Sequence, residues 1–304
     1  MSALSAHRRF GAVAWIVMAL VCMSLTVLIT ARLGRPVPVI LTPPRIDSTG
    51  EHKGLDMARI TEDIEFFSNT PSRLTGSPGA AAAAQRILGA MAELGAEVET
   101  YEVPLAVPVT QACTLTGHGP GGPLQIPLLP LWPNLARTCQ TAPAGLRGPV
   151  IDVGKGSERE IKGKIFRDAI VLMDWDTNLE WLSVPEFGAK AVVFKANDEA
   201  TGYIARNKFL SMPADIPRYY VQKQDLQLLQ GLVDNTTPEA TIHCRSSWEF
   251  AQGTTILARL CDGDSTLPEE DRAPIVIHAY YDSISVVPDA APGAEQACGA
   301  AVLL

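Results

Sequence analysis

The sequence predicts an α/β fold, and three observations carry that expectation. Leu55, Ile60, Ile64 and Phe67 recur at helical spacing, and Ala80 to Leu94 does so again. Further on, the short apolar runs Ala169–Met173 and Ala191–Phe194 alternate with turn-rich or helical stretches, the succession of a sheet with parallel strands. Near the end, Ile275, Val276 and Ile277 form a β-branched run too short for a helix, which reads as a buried, parallel, central strand. Polar residues follow at its carboxyl end. Open α/β sheets place ligands there, so a pocket is expected around Asp282 and the loop to Glu295.

Taken in order, residues 1–10 read as a short cytoplasmic amino terminus. Gly11 to Ala31 is an uncharged apolar run flanked by Arg8, Arg9, Arg32 and Arg35. A bilayer core takes about 20 helical residues, so this run reads as an uncleaved transmembrane signal anchor, with cleavage near Ala31 as the alternative. The globular part is then expected outside the cytoplasm. Residues 32–54, with Pro36, Pro38, Pro43, Pro44 and Gly50, read as a linker. The first helix ends at Ser68-Asn69-Thr70-Pro71. In the next, Ser77 can cap, Pro78 can occupy the first turn, Ile87, Leu88, Met91 and Leu94 make the buried stripe, and Gly95 stops it. Ala96 to Leu105 alternates as a strand.

Residues 106 to 146 are rich in Pro, Gly and Leu and read as irregular β. Firmer strands are expected at Pro149–Val153, Ala169–Met173 and Gly188–Phe194, with a short helix near Asn178–Phe187 and another around Asp225–Leu229. Ala240–Arg245 and Thr255–Leu260 read as two strands, and Asp262–Arg272 as an acidic turn.

Composition narrows the function classes. With 304 residues, 47% hydrophobic and 19% charged, the chain is long enough for two domains and an anchor. A net charge of −8 without a basic stripe argues against a nucleic-acid partner. Six cysteines show no C-x-x-C pair, which leaves zinc ribbons and thioredoxin motifs without support. Outside the cytoplasm, Cys113 with Cys139 or Cys244 with Cys261 could be disulfides, and scattered buried thiols are the alternative. Asn235-Thr236-Thr237 is a glycosylation sequon. Asp174 and Asp176 share a strand face, an arrangement more common at a solvated strand end than at a catalytic pair. His118 lies in a glycine-rich loop, and His243 reads as a packed residue. No G-x-S-x-G, Walker or H-E-x-x-H motif is present.

The stretch from Ile275 to Gly299 resembles the first metal-binding segment of the M28 zinc aminopeptidases, a strand followed by H-x-D-S and a P-G-A-containing loop. On that resemblance Tyr280 stands at the position of the zinc-ligand His, Asp282 at the Asp that orients it, and Glu295 at the metal-bridging Asp. His278, two residues before Tyr280 on the same strand face, is the alternative ligand. A tyrosine phenol is a poor substitute for imidazole at zinc. The opening R-L-T-G-S-P-G, carried by Arg73 and Gly76-Ser77-Pro78-Gly79, also resembles the start of these enzymes. Between the two, the order G-K-I, I-V-L-M, G-A-K-A-V-V-F, I-P and a helix resembles a protease-associated (PA) domain.

The resemblance implies an incomplete M28-type peptidase sheet with helices, covering 55–105 and 240–304. A small β-rich PA-like domain is inserted at 106–239, and one transmembrane helix precedes the whole. It implies zinc as cofactor, a peptide or protein as substrate or partner, and the zinc-dependent removal of N-terminal amino acids as reaction. In an intact relative, two zincs polarise the peptide carbonyl and activate a bridging water. The family's further ligands lie downstream of Leu304, so the chain reads as the amino-terminal part of a longer protein or the product of a broken gene, inactive as written. The alternative is a non-catalytic peptidase-like binding or scaffold domain.

Overall fold

The computed structural model describes residues 55–135, 137–197, 202–210, 213–260 and 275–304. The expected amino terminus, transmembrane anchor and linker, and the acidic turn Asp262–Arg272, lie outside the described residues. No described helix is long and apolar enough to cross a membrane.

Helix α1 (Met57–Ser68) begins where the Asp56 carboxylate accepts the Ala58 and Arg59 amides. Helix α2 (Pro78–Glu93) begins at Ser77, whose hydroxyl accepts the Ala80 amide, with Pro78 in the first turn as expected. Its buried face is Ala80, Ala83, Ala84, Ile87, Ala90 and Met91. Leu94, expected in that stripe, is exposed, because it caps the helix just before Gly95 takes φ 69°. The alanines allow a close approach that a leucine stripe would not.

The strands are β1 (Glu97–Gly119), β2 (Gly122–Pro127), β3 (Leu129–Pro130), β4 (Leu146–Asp152), β5 (Ile170–Asp174), β6 (Ala191–Lys195), β7 (Arg218–Val221) and β8 (Glu239–Arg259). They form one eight-stranded sheet in the order β2-β1-β8-β4-β5-β6-β7-β3. Strands β4 to β7 are parallel neighbours and the remaining pairs are antiparallel. The short helices α3 (Glu158–Ile161), α4 (Ser183–Glu186) and α5 (Gly202–Arg206), with α6 (Leu226–Val233), connect the sheet strands, and α7 (Ala294–Leu303) closes the chain.

Two of the expected strands are one. Ala240–Arg245 and Thr255–Leu260 belong to a continuous β8, which pairs with β1 from Glu97↔Arg259 to Gly117↔Ala240. The ribbon continues through polar residues because its ladder hydrogen bonds do not depend on which side chains are apolar. It also absorbs the first part of the stretch expected to be irregular, and it carries His118 at its end, paired with Pro123, where a loop was expected. His243, expected to be packed, is exposed on the outer face of β8, because its neighbours Ile242 and Cys244 take the inner face.

Three cores follow from this layout. On β5, Ile170 and Leu172 enter one core with Leu115, Ile126, Val193, Tyr219, Leu229 and Leu232. Val171 and Met173 enter a second core on the opposite face, with Trp175, Trp181, Val192 and Phe194. That period-2 division is what a strand covered on both faces requires. The third core joins α1, α2 and α7 to the far end of the ribbon through Phe67, Ala83, Ile87, Met91, Ala297 and Ala300, with Val98, Ile256 and Tyr281 against them.

The central strand expected at Ile275–Ile277 does not form. These residues make no ladder among the described residues, and Ile275, Val276 and Ile277 are 90%, 77% and 76% exposed. A β-branched run becomes a strand only where neighbouring backbone offers hydrogen bonds, and none is paired with it here.

Candidate metal segment

The loop before α2 and the segment before α7 meet around Arg73. This guanidinium is 0% exposed and reaches three carbonyl oxygens of one segment. Nε donates to Pro292 at 2.9 Å, Nη1 to Tyr281 at 2.6 Å and Nη2 to Gly293 at 2.7 Å. Its plane also lies over the Phe67 ring at 5.1 Å. Backbone bonds complete the clamp: the Arg73 amide donates to Ala291, and the Ser283 amide donates to the Arg73 carbonyl, both at 2.9 Å. Ser72 bridges Ala291 in parallel, and its hydroxyl donates to the Pro288 carbonyl at 2.7 Å. Burial pushes the Arg73 guanidinium below its ordinary value, and Asp282 opposes that shift.

Two glycines make this approach feasible. At Gly79 a Cβ would lie 2.0 Å from the Ser72 carbonyl oxygen. At Gly293, with φ 64°, it would lie 2.4 Å from the Ser283 Cβ and 3.0 Å from Arg73 Nη2. The segment continues into the second core, where Val286 and Val287 are buried and the Trp132 amide donates to the Val286 carbonyl at 2.7 Å. Tyr281 anchors the other end, its hydroxyl donating to the Thr254 carbonyl of β8 at 2.5 Å.

The residues expected at the metal lie at the edge of this clamp. Tyr280 is 72% exposed and His278 is exposed, their rings meeting edge to face at 6.4 Å. Asp282, expected to orient a metal ligand, accepts a hydrogen bond from the Thr75 hydroxyl at 2.5 Å. Glu295 lies in the first turn of α7, and its side chain lies outside the described residues. No group of three or more His, Cys, Asp or Glu converges as a metal cage among the described residues. An exposed phenol, an exposed imidazole and a carboxylate held by a threonine do not fit a tetrahedral zinc site.

The other acidic candidates are ion-paired. Asp174 meets Lys195 at 2.9 Å, Lys195 also bonds Asp152 at 2.7 Å, and Asp176 meets Lys155 at 2.5 Å. Sequence reasoning marked Arg73 only as part of a resemblance. Its signal was a lone arginine before a T-G-S-P-G cap, which does not reveal three carbonyl partners more than two hundred residues away.

No protein-family model matches the chain, and no curated protein matches it. Among solved structures, it is similar to BSAP, a zinc aminopeptidase from Bacillus subtilis, with TM-score 0.50 and 19% identity over 81% of this chain and 57% of that one. The aminopeptidase from Aneurinibacillus sp. strain AM-1 aligns with TM-score 0.42 and 20% identity over the same shares. A peptidase M28 precursor from Shewanella amazonensis SB2B aligns with TM-score 0.42 and 14% identity over 66% of this chain and 49% of that one. The likeness to the Bacillus subtilis enzyme is one of fold: the chain has an M28-like α/β fold and spans little more than half of that enzyme's length.

Proposed function

We propose that this chain is a membrane-anchored homologue of the M28-type zinc aminopeptidases, held by Gly11–Ala31 with its globular part outside the cytoplasm. Its described residues supply the platform on which a metal segment is mounted. The observation that carries this reading is the Arg73 clamp, which joins the two stretches that resemble the family, R-L-T-G-S-P-G and Tyr281–Gly293. The family reaction, zinc-dependent removal of N-terminal amino acids from peptides, is the activity of the lineage. Zinc supplies that chemistry when bound, and the described residues of this chain do not bring three ligands together for it. The strands and helices between residues 106 and 239 are proposed to be the PA-like insertion, in keeping with the order of their motifs.

A second reading, a non-catalytic peptidase-like binding or scaffold domain, is favoured by one contact. The Thr75 hydroxyl donates to one oxygen of Asp282, the carboxylate that the resemblance makes the orienter of a metal ligand. Metal analysis of the purified full chain, together with hydrolysis of amino-acid nitroanilides, tests the scaffold reading. Little zinc and no turnover are expected. Near-stoichiometric zinc with turnover would sink the scaffold reading and direct attention to His278 and Glu295 as ligands.

A further inference from the structure

Three thiols, Cys113, Cys139 and Cys244, are buried in the first core, and all three are free in the structure. Their positions are not equivalent. Cys113 on β1 stands directly opposite Cys244 on β8 in the antiparallel register, and the Cys244 amide and carbonyl both bond Thr141 rather than Cys113, so the two face each other as a non-hydrogen-bonded pair. Directly opposed antiparallel residues have Cβ atoms about 4.5–5.5 Å apart and Cα atoms about 4.5–5.5 Å apart. The Cα separation is within the range a disulfide takes, and the Cβ separation needs only a small closure. The register shifts between Thr110 and Ala112, next to Cys113, and such an irregularity increases the local twist of the strand.

Cys139 is occupied otherwise. Its thiol donates toward the Arg218 carbonyl at 3.2 Å and accepts the Arg218 amide at 3.5 Å, so it is tied to β7 rather than turned to the ribbon. Burial pushes it up to about 11. The sequence had left Cys113–Cys139 and Cys244–Cys261 as the candidate pairs. The observed register selects neither, and Cys261 lies outside the described residues.

We propose that Cys113 and Cys244 form a cross-strand disulfide that staples the β1–β8 ribbon, while Cys139 remains a thiol. The inference rests on the extracytoplasmic placement of the globular part, since such bonds persist in oxidising compartments. The oxidant is the disulfide of a thiol–disulfide oxidoreductase. One thiolate of the chain attacks it, forming a mixed disulfide and releasing one oxidoreductase thiolate. The second thiolate attacks the mixed disulfide, forming the Cys113–Cys244 bond and releasing the other. The two protons lost by the chain's thiols end on the oxidoreductase, which leaves reduced by two electrons. Both sulfurs are buried in the folded chain, so the exchange precedes closure of the first core.

The test is peptide mass mapping of the full chain, isolated from cells without reductant and alkylated after denaturation. The expected result is a linked pair of peptides carrying Cys113 and Cys244, lighter by two hydrogens, with Cys139 alkylated. Cys139→Ser keeps the link and Cys113→Ser abolishes it. Should the serine variant fail to fold, the wild-type map still decides. A link through Cys139 or from Cys244 to Cys261 would overturn the proposal. So would alkylation of both ribbon thiols in a chain whose exposed Cys298 is labelled from outside intact cells by a membrane-impermeant maleimide. If Cys298 is not labelled, the placement fails separately. Refolding the purified full chain against oxidised glutathione then decides the pairing, with the Cys113–Cys244 link supporting it and its absence overturning it.

Discussion

Two apolar runs in this molecule, each opening on Ile and Val, have opposite fates. Ile170 to Met173 is fully buried, alternating between two cores and paired on both sides by β4 and β6. Ile275 to Ile277 is exposed and unpaired among the described residues. Residue type is shared, so the difference lies in neighbours: a strand is a property of its ladder. The polar end of the second run is nonetheless fixed. From Tyr281 onward the chain is held by the buried Arg73, by backbone bonds to the loop before α2 and by the second core, rather than by a sheet ladder.

The largest effect is expected where that substitution of clamp for ladder is removed. Arg73→Leu leaves the carbonyls of Tyr281, Pro292 and Gly293 without their donor, at a cost of about 4 kcal/mol. Arg73→Lys keeps the charge without the fork and recovers only part of it. Chemical denaturation of both variants measures the difference, and a loss under about 1 kcal/mol for Arg73→Leu would show that the clamp is not what orders the segment.

The comparison of the two runs is sharpened by a matched pair of substitutions. Ile170→Ala opens a cavity in the first core and should cost about 3 kcal/mol. Ile275→Ala should change stability by no more than about 0.5 kcal/mol. Similar losses at both positions, read from denaturation midpoints, would mean that the second run is buried in solution.

The last effect concerns a buried cation beside the second core. Lys208 is 0% exposed, with its ammonium at 2.7 Å from the Trp175 carbonyl and over the Trp175 and Phe194 rings at 5.2 and 5.3 Å. Burial pushes it down to about 8 from an ordinary 10.5, with Asp176 and Glu180 opposing. Between those values the unfolded chain still holds a proton that the folded chain has released, so stability rises with pH across the window. Relative to Lys208→Met, the wild type should gain about 2–3 kcal/mol between pH 8 and 10.5. A flat difference in thermal melts over that window would show that the carbonyls and rings keep the cation at its ordinary value.

What was legible in the sequence was local. Ser77 with Pro78, Gly95 and the continuous apolar strand Ala169–Met173 each follow from signals within a few residues. The continuous ribbon was not legible, because Ser246 to Thr254 carries no two-residue apolar period and its strand character comes from β1. The fate of Ile275–Ile277 was misread for the converse reason, an apolar signal without a partner. At the candidate site, Asp282 and Tyr280 were found by resemblance. The bonds that define their surroundings, Thr75 to Asp282 and Arg73 to three carbonyls, depend on tertiary approach.

Hydrogen exchange followed amide by amide through 275–293 tests the account most directly, because it reads both halves of the comparison in one molecule. The amides of Ser283 and Ala291, donating to Arg73 and Pro71, should exchange slowly, and those of Val276 and Ile277 at close to the rate of an open chain. Slow exchange at Val276 and Ile277 would contradict it, placing a central strand where the structure has none.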